Sequence, residues 1–121
     1  MSEFIPSPAL ARAAEHYNRL RGQTVEVPEW GDECGPLVIH FDPVTAAQAQ
    51  AVTRRAAGSD AKATALAVIL YSKDADGNPV FEDNGGTLQY FMTKVDPKIV
   101  AKIGKAIMGL DAREDADELG N

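Results

Sequence analysis

A chain of 121 residues, 45% hydrophobic and 25% charged, has room for one core and the balance of an ordinary globular domain, which excludes an intrinsically disordered chain. Its net charge of −6 opposes the phosphate surface of nucleic acid, and its single cysteine excludes an internal disulfide and a four-cysteine zinc centre. No run reaches the ~18 apolar residues of a membrane span, and the start lacks the basic-then-apolar pattern of a secretory leader. One cytosolic domain over residues 1–110 is therefore expected.

Ser7-Pro8 offers a hydroxyl cap followed by a residue that needs no amide hydrogen. Leu10, Ala13, Ala14, Tyr17 and Leu20 then recur at helical spacing, which predicts an amphipathic helix over residues 8–21, closed by Gly22. Its apolar face is alanine-rich and shallow, suited to packing on its own sheet or to docking on a partner. Val25 and Val27 alternate with Thr24 and Glu26, the period of a half-buried strand. Pro28 removes a ladder donor, so this strand should stop there or lie at an edge. WGDECG reads as a turn and Leu37–Phe41 as a second strand, which makes an antiparallel hairpin the simplest pairing.

A helix then begins at Asp42-Pro43 or at Thr45 and stops at Gly58, with Arg54 and Arg55 at its solvated end. Ser59 or Asp60 caps the next, AKATALAVILYSK, whose AVILY centre also fits a strand; the alanines and the cap favour a helix. Thr87 is a possible cap for a helix bearing Leu88, Phe91, Met92 and Val95. Asp96-Pro97 starts another, with Ile99, Val100, Ile103, Ile107 and Leu110 in one stripe. The predicted fold class is α+β: an N-terminal helix, a small antiparallel hairpin, then a bundle of about four helices. Residues 111–121, DAREDADELGN, hold too little apolar area to order and are expected to form an acidic disordered tail.

The segment SKDADGNPVFED raises the question of a metal. With Gly77 at the sixth place of a calcium loop, Ser72, Asp74, Asp76 and Asp83 fall at ligand positions. Serine is a poor first ligand, Asp83 is shorter than the usual glutamate, and Pro79 cannot donate the pairing amide hydrogen. A tight turn built by Asp76-Gly77-Asn78-Pro79 explains the same residues. His16, His40 and Cys34 form no catalytic signature, and the acids beside Cys34 disfavour a thiolate. No catalytic residue, cofactor site or metal site is expected. Trp30 stands just past the first strand, either as a core anchor or as an exposed binding hot spot.

The order of these segments, and in particular VEVPEWG (25–31), LVIHFDPVTAAQAQAV (37–52) and YSKDADGNPVFED (71–83), resembles the tail assembly chaperones of long, non-contractile-tailed phages and prophages. The likeness covers roughly residues 9–110 and is carried by the strand-then-VPEWG element and by the D-x-DG-x-P-x-F turn. It implies a mixed α/β fold without enzymatic activity, acting in the host bacterial cytoplasm and absent from the finished virion. It further implies that the partners are the tape measure protein, which such chaperones coat, the tail tube protein, and further copies of the chaperone. Residues expected to meet a partner are Trp30, Val25, Val27, Phe91, Ile103 and Ile107. The alternative is a calcium-responsive or other protein-binding module using Asp74, Asp76 and Asp83.

Overall fold

In the computed structural model, which describes residues 3–109, the elements run α1 (Pro8–Arg19), β1 (Gln23–Asp32), β2 (Gly35–Phe41), α2 (Ala46–Ala56), α3 (Asp60–Tyr71), α4 (Gly85–Lys94) and α5 (Pro97–Met108). The chain is α+β, with an N-terminal helix, a two-stranded antiparallel sheet and then helices. Leu110 and the acidic stretch 111–121 lie outside the described residues.

Most helix starts follow from local side-chain chemistry. Ser7 Oγ accepts the Leu10 amide hydrogen (3.3 Å), and Ser59 Oγ accepts that of Lys62 (3.2 Å). At α2 the start is Thr45, in a reciprocal capping box: Thr45 Oγ1 takes the Gln48 amide (3.2 Å) while Gln48 Oε1 takes the Thr45 amide (2.9 Å). Asp96 caps α5, with Pro97 in its first turn. Two boundaries differ from expectation. α1 ends at Arg19 rather than Arg21, because Gly22 at φ +79 and the chain before it turn towards β1. α4 begins before Thr87: Asn84 Oδ1 accepts the Thr87 amide at 2.8 Å, so Asn84 is the cap and Thr87 lies inside the first turn.

β1 continues past Pro28. Pairing runs from Gln23↔Phe41 to Val27↔Leu37, then becomes irregular before resuming at Asp32↔Gly35. In a two-stranded sheet each strand has an outer edge, where a missing donor costs no ladder bond. Gly31 is dictated by the close crossing at the turn: a Cβ there would stand 2.3 Å from the Gly35 carbonyl oxygen and 2.8 Å from Pro36 Cα. Beyond the hairpin, His40 and Lys73 exchange backbone hydrogen bonds at 2.8 Å each, so the segment after α3 covers the outer edge of β2 at that point.

α3 is the centre of the bundle, packed against α2, α4 and α5. Ala65, Leu66, Ala67, Val68 and Ile69 are all buried, which explains why the run lacks helical periodicity: a helix surrounded by protein needs no polar face. Val27, Ile39 and Phe41 of the hairpin, Phe91 of α4, and Ile99, Val100, Ile103 and Ile107 of α5 complete the main core with it. Val52, Ala56 and Leu66 form a smaller cluster between α2 and α3. At Gly104 a Cβ would meet Thr64 Cγ2 at 2.7 Å, so the glycine sets how closely α5 approaches α3. Among the described residues no helix is long and apolar enough to cross a membrane.

α1 buries none of its residues and is held at its C-terminal end. The Tyr17 hydroxyl donates to the Pro43 carbonyl oxygen (2.6 Å), Gly22 N–H donates to Asp42 Oδ1 (2.9 Å), and Arg21 Nε donates to Asp42 Oδ2 (3.3 Å). The Gly22 amide hydrogen above all, with help from the Arg21 charge and hydrogen bond, holds the Asp42 carboxyl below the ordinary carboxylate range, against an opposing effect of burial second only to that of Gly22. A depressed folded-state pKa means that the contribution is complete above the unfolded value near 3.8 and is lost as pH falls through the folded value below it. Asp42→Asn should therefore cost under about 1 kcal/mol at neutral pH, since the pair is partly exposed. Acid titration of stability should flatten in that variant below pH ~4; an unchanged acid limb would show that Asp42 does not hold the junction.

Candidate functional site

The tip of the hairpin, the end of the 72–83 turn and α4 meet in an aromatic cluster. Trp30, just before the hairpin turn, stands edge-on to Phe81 (centroids 6.3 Å, planes at 88°) and to Phe91 (6.2 Å, 76°). Phe81 and Phe91 also make an edge contact, at 5.0 Å and 88°. Such geometry places ring edges on ring faces and fixes all three side chains relative to one another. Phe91 is buried, while Trp30 and Phe81 are half-buried, and their outer surfaces open into a groove of about 610 Å³.

Tyr90 and Val95 extend the apolar wall of this groove along α4. Asn84, Thr87, Lys94 and Asp96 supply polar atoms around it. Tyr90 is 63% exposed and Met92, on the other side of Phe91, is 44% exposed. The charged residues that line the groove are Lys94 and Asp96, of opposite sign. An open apolar channel with a polar rim takes one row of apolar side chains from an extended or helical segment.

The expected partner residues divide between groove and core. Trp30 lines the groove, and Phe91 forms its floor at 8% exposure. Val25 is half-buried against the core. Val27, Ile103 and Ile107 have no exposed surface and belong to the core, so a partner cannot touch them while the domain is folded. Their helical and strand periodicity marks a buried face equally well, and here it packs within the chain. Phe81 and Tyr90, which the sequence reading did not single out, supply the remaining aromatic surface.

The acidic segment is a turn. Asp74 Oδ1 accepts amide hydrogens from both Asp76 and Asn78 at 2.9 Å, and the Asp74 and Asn78 backbones are bonded at 2.8 Å. Gly77 sits at φ +85, the left-handed conformation such a turn requires. Asp83 is engaged elsewhere: both its oxygens accept from the Arg55 guanidinium, at 3.0 and 3.2 Å, tying the turn to α2. That pairing lowers the Asp83 carboxyl and raises the Arg55 guanidinium from their ordinary values. Among the described residues no group of three or more His, Cys, Asp or Glu side chains is placed to hold a metal ion. Cys34 lies in the hairpin turn, whereas His40 pairs near the hairpin base and His16 sits on α1, so the three do not form one site. Comparison with protein-family models, with curated proteins and with solved structures gives no match for this chain.

Proposed function

We propose that the protein is a non-enzymatic tail assembly chaperone of a long-tailed phage or prophage, binding the tape measure protein and recruiting tail tube subunits in the host bacterial cytoplasm. The observation that carries this reading is the open aromatic groove of Trp30, Phe81, Tyr90 and Phe91, which suits the apolar stripe of a long client helix. The chain's net charge of −6 favours a client with basic residues flanking its apolar anchors. The resemblance in VEVPEWG and YSKDADGNPVFED supports it independently, and those two segments supply Trp30 and Phe81 to the groove.

Co-expression with the tape measure protein of the same phage, followed by affinity capture and light scattering, tests the proposal. A soluble complex with several copies of this chain per tape measure chain is expected. A free chain beside insoluble tape measure protein would overturn it.

A further inference from the structure

The outward face of α5 carries charge of one sign. Lys98, Lys102 and Lys105 recur at helical spacing on the side opposite the buried Ile103 and Ile107, and all three are exposed. No acid occurs between Pro97 and Met108. Two acids border this face. Asp96 caps the helix, its Oδ1 taking the Lys98 amide hydrogen at 2.9 Å, and Asp60 shares a cleft with Lys105 on the α3 side. Gly109, at φ +76, ends α5 in the left-handed conformation with its N–H on the Lys105 and Ala106 carbonyl oxygens, so the chain leaves the helix axis there. The next residues, outside the described part of the chain, are Leu110 and then DAREDADE (111–118), five acids against Arg113.

We propose that the acidic segment 111–118 folds back along α5 and docks on Lys98, Lys102 and Lys105 of the same chain. Charge selects this occupant, since a face with three lysines and no acid of its own is followed directly by five acids. Acids placed straight after a helix C-terminus meet its negative end, and contact with the lysines offsets that repulsion. Reach allows the contact. Along the axis Lys105, Lys102 and Lys98 lie about 6, 10 and 16 Å before Gly109. An extended chain covers ~3.3 Å per residue, so Asp111 can meet Lys105 while Glu114 and Asp115 meet Lys102 and Lys98. Each exposed pair is weak in water, so the hold depends on the three lysines acting together. The tether at Gly109 raises the effective concentration of the segment and favours its own α5 over that of a neighbouring copy. The docked segment is a salt-sensitive cover over the outer face of α5. It requires only this chain and stands if the tape measure reading fails.

Carbodiimide cross-linking of the full-length protein, read by peptide mass spectrometry, tests the contact. A lysine amine and a carboxylate that touch condense to an amide, and the carbodiimide takes up the water lost and leaves as a urea. An equal mixture of isotope-labelled and unlabelled protein separates links within one chain from links between chains. Links from the segment to Lys98, Lys102 and Lys105 should form within one chain and fade as salt rises from ~20 mM to ~0.5 M. In Lys98→Gln/Lys105→Gln, which leaves Lys102 in place, the yield at Lys102 should drop about fivefold, whereas an undocked segment would reach it as often as before. Circular dichroism checks that this variant keeps the parent helix content. Should it not, Glu114→Gln/Asp115→Gln leaves α5 untouched and should lower the link between Asp111 and Lys105 in the same way. Absence of these links, links that form mainly between chains, links indifferent to salt, or yields unchanged in the variants would overturn the proposal.

Discussion

Ile103→Ala is expected to remove about 2–5 kcal/mol of folding stability, the range for truncating a fully buried isoleucine. Ile103 has no exposed surface and lies in the core formed by α3, α5 and the hairpin valines and isoleucine. α5 packs on α3 and meets β1, regular elements that leave little collapse into the vacated volume, so the cost should fall in the upper half of the range. Against a total of about 5–15 kcal/mol for a domain of this kind, one substitution consumes a large fraction of the stability. A thermal midpoint lower by ~10 °C or more is the expected readout. Met92→Ala, on an exposed side chain of α4, is the control and should change stability by less than about 0.5 kcal/mol. If the two variants melted together, the burial of the α5 stripe would be wrong, and Ile103 would return as a residue free to meet a partner.

Much of this architecture was legible because it is written locally. Ser7, Thr45, Ser59 and Asp96 are caps whose side chains bond amides two or three residues on, and no distant contact is needed to place them. The hairpin follows from the alternation of Val25 and Val27 and the run Leu37–Phe41 around a turn. Asn84 was missed because two glycines follow it, a poor helix start by propensity that the side-chain cap and the packing of α4 on α3 offset. The groove was legible only in part. Trp30 is conspicuous as the one tryptophan, but its partners Phe81 and Phe91 lie 51 and 61 positions further on, and no local pattern links them. Periodicity identifies a buried face without saying what buries it, which is why Ile103 and Ile107 read equally well as partner contacts and as core. The acidic turn shows the opposite case: its ligand-like spacing is explained once Asp74 is seen to bond the Asp76 and Asn78 amides and Asp83 to pair with Arg55.

The largest functional effect is expected at the groove. On the proposed reading, Trp30→Ala should weaken binding of an amphipathic tape measure segment by roughly 30-fold to 1,000-fold, the equivalent of the ~2–4 kcal/mol of a central aromatic hot spot. Trp30 also packs on Phe81 and Phe91, so the same variant should lose ~1–3 kcal/mol of stability, and binding must be measured where it remains folded. Tyr90→Ala separates the two effects. Tyr90 is largely exposed and lines the same groove, so its truncation should weaken the client by tenfold or more while leaving the melting midpoint nearly in place. Because the chain has a single tryptophan, its emission reports directly on the groove wall. Client addition should shift that emission to shorter wavelength as water leaves the exposed ring surface, and the shift should saturate with the binding isotherm. If Tyr90→Ala bound the client as tightly as the parent and the tryptophan signal did not move, the groove would not be the client site, and binding would have to be sought on α1 or on the free edge of β1.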